Sequence, residues 1–191
     1  MSSFLDCILN IDMLLMKTIN IHLSNPLFDS VMPLFDKPIL FIFPLILFWI
    51  FSILKLKNYR WHLAVLIPLG ILLTDQTGTA IKKLELRNRP WTVYEDVNHL
   101  GGKGGKTYSF PSNHAANSSF LANGFGFFYP QFKWILLVFA GIVGYSRIYI
   151  GVHYPLDVCA GFILGWLAAK LLLGLAGTFF KVNSAKHHPA S

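Results

Sequence analysis

The run ILFIFPLILFWIFSIL, residues 39–54, holds sixteen residues without a charge. As a helix it rises about 24 Å, and one further turn from its flanks brings it to the roughly 30 Å of a bilayer's hydrocarbon core. Reading this run as a membrane span decides the fold, and the composition supports it. Of 191 residues, 54% are hydrophobic and 13% charged, with a mean hydropathy of +0.52. Soluble domains carry roughly a quarter charged residues.

Working outward, Lys55, Lys57 and Arg60 form a basic loop before a second span over residues 61–84, which turns polar in its last third. A third, weaker span covers 113–129. Its Ala115, Ala116, Ser118, Ser119, Gly124 and Gly126 suit close helix packing better than lipid. A fourth runs over 133–150 and a fifth over 155–180, where Lys170 can snorkel to an interface. Residues 4–23 mix apolar positions with Asp6, Asn10, Asp12, Lys17, Asn20 and His22, and read as an amphipathic helix lying at the interface. Three prolines punctuate residues 25–38, where a short connecting helix is expected.

The expected fold is therefore an all-α integral membrane bundle of about five transmembrane helices plus an N-terminal interfacial helix. It forms one domain over residues 1–181, with 182–191 a polar, disordered tail. Cys7 and Cys159 have no metal-ligand spacing and read as small core residues without a disulfide framework. No cleavable signal peptide is evident. The formal charge of +7 falls in short clusters between apolar runs, which points to anionic lipid head groups and not to nucleic acid. The loop Gly101-Gly102-Lys103-Gly104-Gly105-Lys106-Thr107 nearly matches a phosphate-binding P-loop. That pattern needs Gly where Leu100 stands, and no buried strand precedes it. It reads as a flexible, lid-like loop, and nucleotide binding is rejected.

Five spans put Lys55, Lys57, Arg60, Lys133 and the Lys181/Lys186 tail on one side, cytoplasmic by the positive-inside rule. Residues 85–112 and 147–157 then share the outer face. The 85–112 connection is itself basic, which fits charges that serve an anion site.

Three clusters carry chemistry there. In Ser146-Arg147-Ile148-Tyr149-Ile150-Gly151-Val152-His153-Tyr154-Pro155-Leu156-Asp157, charges stand between two apolar runs, where they are costly. Pro155 suits a first helical turn, which puts Asp157 one helical step from His153. A carboxylate that fixes the imidazole tautomer makes the other ring nitrogen a directed base or nucleophile. Arg147 offers a fork of donors suited to phosphate. Taken alone, an interfacial Arg and His satisfied by backbone and water is an equal reading. The second cluster is Lys82 and Arg89-Pro90, expected on one helical face about 10 Å apart along the axis. Asp75 and Thr79 continue that face, whereas Lys83 and Arg87 read as membrane-flanking charges. In Pro111-Ser112-Asn113-His114, Ser112 or Asn113 caps a helix whose N–H groups suit an anion. His114 is there placed to protonate a leaving oxygen. Together these donors suit a transferring phosphoryl group. No carboxylate-rich metal site accompanies them.

Lys82-(six residues)-Arg89-Pro90, Pro111-Ser112-Asn113-His114 and Ser146-Arg147-(five residues)-His153-(three residues)-Asp157 resemble the three-part signature of the type-2 phosphatidic acid phosphatase superfamily. The resemblance spans residues 82–157. It implies a phosphatase without metal or cofactor that works through a phosphohistidine. His153 would be the nucleophile and Asp157 its orienting group, with His114 as acid and then base. Lys82, Arg89, Ser112, Arg147 and the amide of Asn113 would hold the phosphate. The family usually has Gly where Asn113 stands, so a side chain there either narrows the approach or contacts substrate.

The implied partners are the bilayer and a phosphorylated lipid, met at the outer face of a bacterial cytoplasmic membrane. The extra basic residues Arg87, Lys103 and Lys106 favour lipid A 1-phosphate or undecaprenyl diphosphate. Phosphatidylglycerol phosphate and phosphatidate are the alternatives, together with a lipid phosphotransferase and a non-catalytic phospholipid-binding or transport protein.

Overall fold

The computed structural model describes residues 2–37, 39–101 and 108–179. The lid-like stretch over 102–107, with Lys103 and Lys106, and the tail over 182–191 lie outside them. Helix α1 (Ser2–Lys17) runs into a π-helical turn, Thr18–His22. Helix α2 (Pro26–Val31) follows, with Asn25 capping its start by accepting from Phe28 N–H and Pro26 at the position that needs no donor. A 3₁₀ turn, Met32–Asp36, precedes α3 (Ile39–Lys55). The remaining helices are α4 (Arg60–Lys82), the short α5 (Pro90–Val93), α6 (Asn113–Phe128), α7 (Lys133–Tyr149) and α8 (Pro155–Phe179). The described residues contain no strand, and one isolated bridge pairs Asn88 with Tyr108.

Helix α6 is the centre, packed against α4, α7 and α8. Its small residues Ala115, Ala116, Ser119, Ala122, Gly124 and Gly126 are buried. On α8, a Cβ added at Gly161 or Gly165 would run into the α6 backbone at Ser112 and Ala116. Backbones this close are what small residues permit. Around that contact Leu63, Ile67, Phe120, Phe125 and Leu172 fill the core. Large apolar side chains on the outer surface stay exposed, among them Phe43, Leu47, Trp134, Ile135 and Leu171. An apolar exterior of this extent requires lipid around it.

Among the described residues, Lys57–Lys82, Pro130–Tyr149 and Pro155–Gly177 are long and apolar enough to cross a membrane. A fourth span results if Pro26–Asp36 and Ile39–Lys55, bent by 57°, act as one broken crossing. The protein is a multi-pass membrane protein with three to four such candidates. The expected third span falls on α6, which at 16 residues is shorter than these candidates and has its small residues buried against neighbouring helices.

One further expectation changes. Cys7 and Cys159 are exposed, not core; on a lipid-facing surface an apolar residue need not be buried. In α1 Asp12 points inward, as Asn20 does in the turn after it, while Asp6 and Asn10 are exposed along with Phe4, Leu5, Ile11 and Leu14. Asp12 is 2% and Asn20 1% exposed. Asn20 donates to the carbonyls of Tyr149 (2.6 Å) and Asn98 (2.8 Å) and accepts from Asn98 N–H (2.8 Å). It thereby fastens the turn after α7, where Gly151 has φ +78 and a Cβ would meet the Asn98 carbonyl.

Candidate functional site

His153 is built by that turn. Its N–H donates to the Arg147 carbonyl (3.2 Å), which folds the chain back over the end of α7. Pro155 then opens α8, with Asp157 in the first turn. Asp157 Oδ2 accepts Tyr154 N–H at 2.9 Å and faces His153 Nδ1 at 3.4 Å, the long end of hydrogen-bond range. With Nδ1–H directed at the carboxylate, Nε2 keeps its lone pair. Burial pushes the His153 imidazole down to about 4, with Asp157 pulling the other way and Arg89 and Lys82 adding to the depression. The ring is therefore neutral around pH 7.

Ser112 caps α6, its hydroxyl accepting Ala115 N–H, and its own N–H donates to the Asp157 carbonyl at 3.0 Å. This joins the start of α6 to the first turn of α8. His114 is exposed at that start, within electrostatic reach of Arg147, His153, Asp36 and Arg89. Lys82 ends α4 and donates to the Pro111 carbonyl and to Asn113 Oδ1 (2.6 Å). Asn113 Nδ2 reaches Asp75 Oδ1 (2.9 Å) and Thr79 Oγ1 (3.3 Å). The expected inward stripe of Asp75, Thr79 and Lys82 therefore meets α6. The Asn113 side chain turns into α4, where Gly78 leaves it room because a Cβ there would collide with its amide.

Arg89 arrives differently from the expectation. Helix α4 stops at Lys82 and the chain turns through Glu85 at φ 56, so helical periodicity does not carry Arg89 to the site. Preceding Pro90, Arg89 is extended (φ −70, ψ 148) and donates to the Val152 carbonyl at 3.0 Å. Arg147 is 1% exposed. One terminal nitrogen donates to Asp36 Oδ1 (2.5 Å), and the other is buried without a hydrogen-bond partner among the described residues. The structure thus gathers Lys82, Arg89, Ser112, Asn113, His114, Arg147, His153 and Asp157 at one end of the bundle. A groove of about 620 Å³ between α6, α7 and α8, lined by Lys133, Trp134 and Trp166, contains none of them.

Sequence reasoning missed four residues here. Asp36, from the turn before α3, meets Arg147. Trp91 stacks on His99 with ring centroids 4.4 Å apart, and His99 lies within electrostatic reach of Arg89 and Asp36. Asp12 pairs with Arg87 at 2.5 Å. Arg87 is therefore no membrane-flanking charge, and it does not supply the free cation that favoured a diphosphate. Asp12 and Asp36 did carry a signal, since each is a carboxylate beside apolar sequence.

The structure is an all-helical membrane bundle with two histidines, Lys82, Arg89, Arg147 and the N-terminus of α6 converging at one end. Residues 61–181 match the PAP2 superfamily, and the chain belongs to that superfamily. It is 33% identical over 133 residues to the lipid A 4'-phosphatase of Bacteroides thetaiotaomicron, covering 63% of this chain and 59% of that one. A 63-residue stretch is 48% identical to the undecaprenyl-diphosphatase of Sulfolobus acidocaldarius, 32% of this chain and 31% of that protein. The chain thus spans less than two thirds of the length of these curated relatives. The crystal structure of Aquifex aeolicus LpxE superposes with a TM-score of 0.68 at 30% identity, over 84% of this chain and 93% of that one.

Proposed function

We propose that this protein is a metal-independent lipid phosphatase that works through a phosphohistidine at the outer face of the membrane. The observation that carries this reading is a buried, neutral His153 oriented by Asp157 and ringed by Arg147, Arg89 and Lys82. Binding alone needs no oriented nucleophile. His153 Nε2 attacks phosphorus, the N–P bond forms, and the ester P–O bond breaks. Desolvation and the neighbouring Arg147 lower the His114 pKa to about 4, so the proton for the leaving oxygen comes from its minor imidazolium form. Water then attacks the phosphohistidine and loses its proton to His114; the N–P bond breaks and His153 returns neutral. Arg147, Arg89, Lys82 and the first amides of α6 stabilise the equatorial oxygens in both steps.

The activities of the relatives, lipid A phosphatases and undecaprenyl-diphosphatases, support a lipid phosphate or diphosphate as substrate. Lipid A 1-phosphate and undecaprenyl diphosphate lead, ahead of phosphatidylglycerol phosphate and phosphatidate. Sidedness follows from charge. Lys55, Lys57, Arg60 and Lys133 belong to the ends of α3, α4 and α7 remote from His153, and the positive-inside rule makes that end cytoplasmic.

The test is inorganic phosphate release by detergent-purified protein in EDTA across those four lipids, beside His153→Ala. Release that survives EDTA and vanishes in the variant is expected. Release that persists in His153→Ala would overturn the mechanism. Transfer of label to a lipid or sugar hydroxyl, with no free phosphate, would make the protein a phosphotransferase.

A further inference from the structure

Arg87 lies beyond the end of α4, and its carbonyl is pinned by Ser109 N–H at 2.8 Å. Its guanidinium lies over the Tyr154 ring, 3.4 Å from the centroid. Nη1 is 2.5 Å from Asp12 Oδ2 and 3.6 Å from Asp157 Oδ1. The other oxygen of Asp12 accepts Leu156 N–H at 2.8 Å, in the first turn of α8. Asp157 itself is fully buried and two-sided. Oδ2 serves His153 and Tyr154 N–H, while Oδ1 has no hydrogen bond among the described residues and has Arg87 as its neighbouring cation.

We infer that Arg87 and Asp12 are a positioning pair, which holds the orienting carboxylate Asp157 through the oxygen that His153 does not use. Two other roles fit the geometry poorly. For phosphate binding, Arg147 has one carboxylate beside its fork and keeps a buried terminal nitrogen unpartnered among the described residues, whereas Arg87 sits between two carboxylates at most 2% exposed, Asp12 and Asp157. A lipid-flanking arginine would reach head groups, whereas the Arg87 side chain is 19% exposed and stacked on a ring. A buried ion pair is also a weak source of net stability, because desolvating both charges offsets their attraction. What this pair supplies is geometry. Arg87 sets the angle of Asp157, and Asp12 neutralises Arg87 while tying α1 to the start of α8. The N-terminal helix is thereby part of the site's frame.

The charges around His153 make the pair's effect readable. Facing it are Asp157 from α8, Lys82 from the end of α4, Arg89 from before α5 and His114 from α6; Arg147 of α7 contributes its carbonyl. Removing the Arg87 charge leaves Asp157 less compensated, which favours the imidazolium and raises the His153 pKa. Removing the Asp12 charge leaves Arg87 less compensated and lowers it. A purely structural role gives no such opposition in sign.

The inference rests on the phosphohistidine reading, so its experiment has two arms. In the kinetic arm, kcat and KM for phosphate release are measured for wild type, Arg87→Gln, Arg87→Lys and Asp12→Asn. Arg87→Gln should lower kcat about 10- to 100-fold, as loss of an outer partner of a fixed catalytic group does. KM should stay within about threefold, and Arg87→Lys should recover part of the loss. A KM raised tenfold or more at unchanged kcat would make Arg87 a phosphate ligand and overturn the inference. In the second arm, His153 is titrated by ¹⁵N-histidine NMR in micelles, assigned with His153→Gln. Opposite shifts in Arg87→Gln and Asp12→Asn support the pair; an unmoved His153 in both overturns it. If wild type releases no phosphate from any lipid, the proposed function falls and the titration still decides the pair.

Discussion

Burial fixes the protonation state in which His153 can act. Its pKa is pushed from 6.5 down to about 4, so the proposed nucleophile stays uncharged well below neutrality. The acid limb of kcat/KM should therefore show no loss from His153 between pH 6.5 and about 4; a limb near 6.5 has to come from another group, and one that moved with Asp157→Asn would contradict this. The stability sign follows from proton counting. Between about 4 and 6.5 the unfolded chain binds the proton that the folded one refuses, so His153 costs stability as pH falls through that window and nothing above it. Arg147 buries one donor nitrogen without a partner among the described residues, and Arg89 shares the cluster. Arg147→Ala and Arg89→Ala should each lower kcat by roughly 10²–10³ if each is one transition-state donor, and full activity in either would remove it from the phosphate cradle. Asn113 makes a different prediction. Because its side chain holds Lys82 and Asp75 of α4 from the start of α6, Asn113→Gly should keep the mechanism while losing about 1–3 kcal/mol of stability for the groups left unpaired, read as a lower melting temperature at retained kcat.

Helices assemble this site by close approach, and the α6–α8 contact is the tightest part of it. Gly165→Leu would drive a side chain into Ala116 and Phe120 backbone, whereas Gly177 on the same helix faces open space. The first should abolish a cooperative melting transition in detergent, and Gly177→Leu should leave it unchanged; equal behaviour of the two would mean that α6 and α8 do not pack this way. At this scale much was legible in the sequence. The apolar runs over 39–54, 133–150 and 155–180 become α3, α7 and α8 to within a residue, because charges, prolines and polar loops bound them. The small residues of 113–129 likewise announced a packed helix. What they could not announce is that neighbours would replace lipid around it. The reach of Arg89 also escaped periodicity, because a turn at Glu85 and the constraint of Pro90 set its direction. The partners of Asp12 and Asp36 lie 75 and 111 residues away, and no local pattern pairs them with Arg87 and Arg147.

At the scale of the molecule, one end gathers the polar chemistry and the other gathers uncommitted lysines. The histidine end takes Lys82, Arg87, Arg89 and Arg147 out of the sidedness count, since each is engaged with protein carbonyls or carboxylates. What remains to be read is Lys55, Lys57, Arg60 and Lys133 at the far end against the exposed Lys37 and Lys83 at the histidine end, and orientation is set by the excess of such short-loop cations. The two ends can be told apart by labelling. Glu95 is exposed in the loop after α5 on the histidine side, and Asn58 is exposed in the turn between α3 and α4 at the opposite end. In a Cys7→Ser/Cys159→Ser background, Glu95→Cys should react with a membrane-impermeant maleimide added to intact spheroplasts. Asn58→Cys should react only after permeabilisation. The reverse pattern would put the histidines on the cytoplasmic side, and substrates would then have to be sought among lipids phosphorylated and consumed on that face.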